Sequence, residues 1–362
     1  MPNASDLPRH DDITGRPQPP RKANEPREAQ EQSDGQGAQE VQEVQEVQEV
    51  QEVQEVQGVK EVEEEQDVPG SAAGSASGLL ASGGRPLTPG VAMLATAVAV
   101  VSVLVGGLLA AVALTGHVFG AWNSPESLTP GLIGAAMLGT APGLFAVARA
   151  RAWHEARTLV HPLSVVLVGL FTVSLLNAGH LYIARGGSII PVLFSLGWLF
   201  VLGVLCVCAL IALAWQHFTP AQPLGPRVAP LPGWSKPALA VLGSAWLGIG
   251  TGLLARPGFW ADFVPWSVNR PDAQALGVWA LALGIGVLGA LAEDDLGRTG
   301  SALIALPGTA VTMTVVLVFR ASAVDWSSGP ALCLVAMIAG LLLAGASGRV
   351  LLTKSAAPQP RH

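Results

Sequence analysis

Five ionisable side chains beside long apolar runs are the best candidates for chemistry in this sequence: His180, Arg185, Asp262, Arg320 and Asp325. All five lie at the same predicted end of the apolar runs. A cluster of this composition could bind a ligand or a lipid headgroup through charge-assisted hydrogen bonds. The alternative interpretation of His180 is an interfacial histidine with its ring at the headgroup level.

No local pattern indicates a catalytic, metal or cofactor site. The sequence has neither a Gly-x-Ser-x-Gly nucleophile turn nor a His-Glu-x-x-His zinc helix. Haem would need two histidines at matching depth on neighbouring helices, and His161 lies at the opposite end of its apolar run from His180. The three cysteines lie inside apolar runs, with no zinc-type spacing. We therefore expect no catalytic residue, no metal and no cofactor.

The elements that must position these side chains are apolar helices. From Pro89 onward, runs long enough to cross ~30 Å of hydrocarbon follow one another. They predict an all-α membrane protein, a bundle of about eight transmembrane helices in residues 90–349, followed by a short tail, 350–362. The predicted spans are 91–114, 131–148, 162–178, 191–215, 237–254, 273–292, 301–319 and 330–346.

Residues 1–89 have the composition of a disordered acidic tail. They are rich in Pro, Gln, Glu and Asp and lack aromatic residues, so they cannot bury enough surface to offset chain entropy. A Gln-Glu-Val triplet repeats through residues 39–62, and a Gly/Ser/Ala linker follows. A period of three gives no lasting apolar stripe on a helix. The tract is either a low-complexity expansion or an interaction tail for a basic partner.

The charges indicate orientation. The net charge is −6, but the acidic excess lies entirely in residues 1–89, and the remaining chain is basic. With the tail inside, the inner side holds Arg149, Arg151, Arg157, Arg227, Lys236, Arg298, Arg349, Lys354 and Arg361, and the outer side holds Arg185, Arg256, Arg270 and Arg320. By the positive-inside rule this favours a multi-pass protein of the plasma membrane with both termini in the cytoplasm. The partners expected are the bilayer and anionic lipids on the cytoplasmic face, and not nucleic acid.

Tryptophans flank the predicted spans, as interfacial anchors do at the headgroup level. They are Trp122, Trp234, Trp260, Trp266 and Trp326. Inside the spans, ionisable side chains are almost absent. Glu155 is placed in a loop, within a Trp153-His154-Glu155 stretch that we interpret as an orientation signal and anionic-lipid contact. Because coupling ions are normally carried by ionisable groups at membrane depth, ion-coupled transport is disfavoured.

The first and second halves of the membrane domain match weakly at an offset of 143 residues. Each half has an outer loop with Trp and Pro, then a span opening with Ile133-Gly134 or Leu276-Gly277. Four spans separate the two copies, so both would start on the same side of the membrane. The match therefore indicates two parallel four-helix repeats. Chance similarity is the alternative, because Gly, Ala and Leu dominate both stretches.

The stretch from Phe263 to Trp279, with its Pro265-Trp266 pair, resembles a segment of multi-pass integral membrane proteins from high-GC actinobacteria. Trp153–Arg157 and His180 are also similar to that group. Ser267 and Val268 depart from its more proline-rich form. The resemblance covers about half of the membrane domain and implies an architecture and a source, without an activity.

Three functions remain open. The first is a non-enzymatic accessory or scaffolding protein of the cell envelope. The second is a permease-like or lipid-handling transporter, which predicts a polar cavity at the axis between the repeats. The third is a membrane-embedded enzyme at the outer face, which predicts that His180, Asp262 and Asp325 lie within hydrogen-bond reach of one another.

Overall fold

The protein, described here from a computed structural model, is an all-α bundle over residues 84–221 and 229–355. The described residues exclude most of the predicted tail (residues 1–83) with its triplet repeat, residues 222–228 with Arg227, and the last seven residues. Within those ranges, eight helices are long and apolar enough to cross a membrane, which confirms the predicted multi-pass class. They are α1 (Pro89–Leu114), α2 (Leu128–Arg149), α3 (Trp153–Leu176), α4 (Ile189–Phe218), α5 (Ser235–Ala255), α6 (Arg270–Glu293), α7 (Gly300–Phe319) and α8 (Gly329–Ser355).

Helix α3 begins well before the apolar run that predicted it, and helix α6 begins slightly before its run. Helix α3 begins at Trp153, so Glu155 lies in its first turn and not in a loop. An acidic side chain there is favoured by the partial positive charge of a helix N-terminus. Helix α6 begins at Arg270, where the Asn269 side chain accepts a hydrogen bond from the backbone N–H of Asp272. This capping bond brings Asp272 inside the helix.

Hydrogen bonds between loops define two ends of the bundle. At one end, the backbone N–H of Tyr182 donates to the carbonyl of Ala121, so the α1–α2 and α3–α4 connections meet. At the other end, the backbone N–H of Trp153 donates to the carbonyl of Arg85, so the chain before α1 meets the α2–α3 turn. We call these the tryptophan end, which holds Trp122 and Trp266, and the arginine end, which holds Arg157.

Each half contributes two inner and two outer helices. In the first half α1 packs on α2, and in the second α5 packs on α6. Contacts across the halves join α2 to α7 and α3 to α6, while α3 packs on α4 and α7 on α8. Exchanging the halves leaves this pairing pattern unchanged. The arrangement is the one expected of two parallel repeats around an axis along the bundle.

The closest helix approaches recur in the two halves. A Cβ added to Gly134 of α2 would lie 2.6 Å from the carbonyl oxygen of Gly106 in α1. A Cβ added to Gly277 of α6 would lie 3.1 Å from the carbonyl oxygen of Gly250 in α5. In a bilayer the hydrophobic effect does not drive helices together, so close backbone packing at small residues contributes much of their association. Helix α1 also contains a π-helical segment, Ser102–Gly106, that ends at this contact.

Loop hydrogen bonds recur at the same spacing. The bond from Tyr182 N–H to Ala121 has its counterpart in the bond from Asp325 N–H to the carbonyl of Pro265. The bond from Trp153 N–H to Arg85 has its counterpart in the bond from Leu296 N–H to Ala229. Corresponding residues are 143 or 144 positions apart. Loop contacts do not depend on the frequent Gly, Ala and Leu of the helices, so this recurrence argues against a chance match.

Candidate functional site

Two reciprocal hydrogen bonds join the halves at the tryptophan end. The indole N–H of Trp122 donates to the carboxylate Oδ1 of Asp272 at 2.8 Å. The indole N–H of Trp266 donates to the hydroxyl Oγ1 of Thr129 at 2.9 Å. Each tryptophan comes from the loop between the first two helices of one half, and each acceptor lies in the first helical turn of the other. Such an exchange of equivalent contacts is what a two-fold relation produces.

Asp272 is the polar centre of this region. Its side chain is fully buried, and Oδ1 also accepts a hydrogen bond from the Ser124 hydroxyl at 2.7 Å. Gln274 follows Asp272 by two residues and accepts a hydrogen bond from the side-chain amide of Asn177 at 2.8 Å. This bond connects the end of α3 to α6. Asp272 lies one residue before the predicted span 273–292 and is not among the five polar residues that the sequence pointed to. The Asn269-Arg270-Pro271-Asp272 pattern signals a helix start, but burial depends on the opposite half.

The five predicted polar residues lie between the long helices at the tryptophan end. His180, Arg185, Asp262 and Asp325 are exposed. Within the ranges that the structure describes, no hydrogen bond or ion pair joins any two of the five. Asp325 accepts hydrogen bonds from Ser327 in its own turn, and the Arg320 guanidinium lies against Gly116 at the end of α1. The enzyme hypothesis therefore gains no support from His180, Asp262 and Asp325.

The five flanking tryptophans occupy two kinds of position. Trp234 and Trp326 are exposed, as anchors would be, and Trp260 is half-buried. Trp122 and Trp266 are buried inside the protein, where their indole N–H groups form the reciprocal bonds. These two rings therefore contact protein, and the indole N–H of each bonds to the other half.

In the first half, the space between α1, α2 and α4 is filled by aromatic rings. The ring centroids of Phe119 and Phe194 lie 4.6 Å apart, and those of Phe194 and Trp198 lie 6.2 Å apart. The Trp198 indole N–H donates to the Ser174 hydroxyl at 3.2 Å. What remains is a void of about 20 Å³ beside Trp122.

In the second half, the corresponding space is open. A cavity of about 420 Å³ lies between α5, α6 and α8 near the tryptophan end. Its wall includes Met337, which corresponds to Phe194, and the counterpart of Trp198 is the smaller Leu341. The volume lies within the ~300–1,000 Å³ typical of small-molecule sites. We call this space the α5–α8 cavity.

The wall of the α5–α8 cavity is apolar and rich in aromatic rings. Among the described residues that line it there is no acidic, basic or histidine side chain. The aromatic and sulfur-containing members are Trp246, Trp260, Phe263, Trp266, Trp279, Met313, Cys333 and Met337. Such a wall suits an uncharged apolar molecule, since a charge would lose its solvation there without compensation.

The loop between α5 and α6 carries the aromatic rim of this cavity. The rings of Trp260 and Phe263 pack with centroids 5.6 Å apart. Trp260 also lies against Gly252 of α5, at a distance that leaves no room for a Cβ. Trp266, at the end of the same loop, is held by its bond to Thr129. The cavity rim is thus attached directly to the contact between the halves.

The axis between the halves holds only a small cavity. Its volume is about 50 Å³, and residues of α2, α3, α6 and α7 line it. The lining is mostly apolar, and its polar side chains are the threonines Thr140, Thr158 and Thr309. This space is much smaller than the α5–α8 cavity and does not match the polar axial cavity that a permease predicts.

The arginine end is held by ion pairs. Arg157 at the start of α3 pairs with Glu293, the last residue of α6. Lys236 at the start of α5 pairs with Asp294 at 2.8 Å, and Arg298 pairs with Asp295 at 3.4 Å. Asp294 has a φ of 50° and ends α6 in the left-handed conformation. These pairs position the ends of α3, α5 and α6.

The chain is a multi-pass α-helical membrane protein with two structurally related halves and an apolar cavity in the second half. No family model matches it, and neither the curated proteins nor the solved structures contain a match. The resemblance to actinobacterial membrane proteins stays a prediction.

Proposed function

We propose that the protein is a non-enzymatic, lipid-handling protein of the cell membrane that holds the apolar chain of a lipid-like molecule in the α5–α8 cavity. The observation that carries this proposal is the difference between equivalent positions of the two halves. Aromatic rings fill the first position to about 20 Å³, whereas the second retains about 420 Å³. Interiors are normally close-packed, and an open apolar space of this size suits a small-molecule occupant.

The location of the cavity supports a membrane-derived occupant. Its lining includes Phe263 and Gly329 at the tryptophan end and reaches Trp246 and Ile338 within α5 and α8. Helices α5 and α8 pack on each other less extensively than α1 and α4 do. A molecule in the bilayer could therefore reach the cavity between α5 and α8 without crossing water. This supports lipid handling over a purely scaffolding role.

We also propose that both termini face the cytoplasm and that the protein resides in the plasma membrane. In the described ranges, the arginine end carries Arg85, Arg149, Arg151, Arg157, Lys236, Arg298, Arg349 and Lys354, and the tryptophan end carries Arg185, Arg256, Arg270 and Arg320. The positive-inside rule puts the richer end in the cytoplasm. The α5–α8 cavity would then open in the outer half of the membrane.

The test fills the cavity in the way that aromatic rings fill the equivalent position of the first half. The double variant Met337→Phe with Cys333→Trp fills the cavity with aromatic rings, as Phe194 fills its counterpart. The matched control is Met93→Phe with Cys208→Trp, the same two replacements at exposed positions of α1 and α4. The full-length proteins are purified in mild detergent, and the bound lipid is extracted and quantified by mass spectrometry.

We expect wild type and control to retain the same lipid, and the filled variant to retain about tenfold less, equivalent to about 1.4 kcal/mol of binding. The filled variant should elute as a monodisperse peak like wild type, since added rings occupy existing space. Equal lipid in all three proteins would show that the cavity is not the lipid site.

A further inference from the structure

The α5–α8 cavity has a floor, at the level where α5 and α8 come into contact. Followed from the tryptophan end, the lining of the cavity ends at Trp246 on α5 and at Ile338 on α8. Just beyond these residues, a Cβ added to Gly340 of α8 would lie only 2.8 Å from Cδ1 of Leu242 in α5. The contact between Leu242 and Gly340 therefore closes the cavity on the side of the arginine end.

This floor belongs to the second half of the protein. The residue of α4 that corresponds to Gly340 is Gly197, and a Cβ added there would meet nothing within 4 Å. In the first half the helices are kept in place by the rings of Phe194 and Trp198 instead. The open half thus combines an empty space with a helix contact that limits its depth.

The depth of the cavity follows from the length of helix that lines it. On α8 the lining extends from Gly329 to Ile338, which is about 14 Å at ~1.5 Å per residue. This depth is close to half of the ~30 Å hydrocarbon core of a bilayer. The chains of a membrane lipid lie roughly parallel to the helices. A lipid of the leaflet at the tryptophan end could therefore enter sideways between α5 and α8 without turning.

An alkyl chain can be compared with this depth directly. An extended chain advances about 1.25 Å per carbon, because C–C single bonds of ~1.5 Å alternate at tetrahedral angles. A depth of about 14 Å therefore accommodates about 11 carbons. A shorter chain would leave part of the wall without contacts, and such a gap loses dispersion energy. A longer chain would have to bend at the floor.

We infer that the α5–α8 cavity selects its lipid by chain length and holds an uncharged lipid through an alkyl chain of about ten to twelve carbons. The end of the chain lies against the floor formed by Leu242 and Gly340, and the head of the molecule lies at the rim beside Trp260 and Phe263. The head is uncharged because the described lining offers no counter-charge. This inference rests on the proposed function, to which it adds the length of the chain.

The test is a competition between chain lengths on the full-length protein in mild detergent. An equimolar series of saturated 1-monoacylglycerols, from octanoyl to octadecanoyl, is added, and the bound lipid is extracted and compared with the unbound mixture by mass spectrometry. Leu242→Ala lowers the floor, and Ile338→Phe raises it. The matched control is Val241→Ala, next to Leu242 on α5 but 71% exposed.

We expect the wild type to enrich the decanoyl and dodecanoyl glycerols about threefold or more over the octadecanoyl glycerol. Leu242→Ala should move the maximum to chains about two carbons longer, because removing the leucine side chain leaves space below the floor. Ile338→Phe should move the maximum to shorter chains. Val241→Ala should give the same profile as the wild type.

The outcomes separate this inference from the proposed function. If the wild type enriches no chain length, or if the maximum stays in place in whichever floor variant elutes as a monodisperse peak, the inference is overturned. Weaker binding of the whole series by the cavity-filled variant would then still support the lipid cavity. If the cavity-filled variant binds the series as well as the wild type does, the proposed function fails too.

Discussion

Asp272 shows what a single buried carboxyl does in this protein. Its Oδ1 accepts from Trp122 and Ser124 of the other half, so one atom links the loop of the first half to α6. The equivalent atom in the reciprocal contact is the Thr129 hydroxyl. The two halves thus use a carboxylate and a hydroxyl for the same task of accepting an indole hydrogen bond. Comparing the stability of variants at Asp272 can distinguish the contribution of the acceptor oxygen from that of the negative charge.

We predict that Asp272→Ala destabilises the protein by about 3 kcal/mol, because Trp122 and Ser124 are left buried without an acceptor. Asp272→Asn retains an oxygen acceptor and should cost about 1 kcal/mol. The measurement is denaturant-induced unfolding in detergent, with Asp262→Ala at an exposed position as the control. Equal stability of the Ala and Asn variants would contradict a role for the accepted hydrogen bonds.

At the scale of elements, glycine sets how closely α1 approaches α2 and α5 approaches α6. Gly106 and its neighbour Gly107 provide an internal comparison. A Cβ on Gly106 would lie 2.7 Å from the Cβ of Met137, while a Cβ on Gly107 meets nothing within 4 Å. The same contrast holds in α5, where Gly250 is crowded and Gly248 is not.

We predict that Gly106→Ala destabilises the protein by about 1–3 kcal/mol, because the backbones of α1 and α2 must move apart. Gly107→Ala should be neutral or stabilising by a few tenths of a kcal/mol, since Ala is the better helix former. Thermal unfolding in one detergent measures both variants. If the two alanines had the same effect, close packing at Gly106 would not be the cause.

The whole molecule combines two related halves that differ in one place. Their helix pairing, loop hydrogen bonds and glycine contacts are equivalent, yet only the second half contains the α5–α8 cavity. Trp266 lies in the cavity wall and also bonds across to Thr129. An occupant of the cavity would therefore contact the interface between the halves directly.

At this scale the orientation can also be tested. In a variant with all three native cysteines replaced by alanine, cysteine at Asp262 should react with a membrane-impermeant maleimide on intact cells. Cysteine at Arg151 should react only after permeabilisation. Both positions are exposed, at opposite ends of the bundle, so accessibility differs only by side. The reverse labelling pattern would overturn the proposed topology.

The sequence alone was sufficient for the number of helices and for most of their bounds, and it indicated a repeat while leaving chance similarity open. Apolar length is a local property, and each span can be recognised without its neighbours. The start of α6 was also readable from Asn269 and Pro271. The outer polar cluster was not predictable in the same way, because it required side chains from several connections to meet. His180, Asp262 and Asp325 do not hydrogen-bond to one another.

Tertiary structure alone decided which residues matter within the bundle. Trp122 and Trp266 are buried because each finds an acceptor in the opposite half, 150 and 137 residues away in the chain. Met337 lines the α5–α8 cavity at the position where Phe194 packs against Trp198 in the first half. Apolar residues of either size satisfy a membrane span equally well. Only the register between distant helices decides whether the space between them is filled.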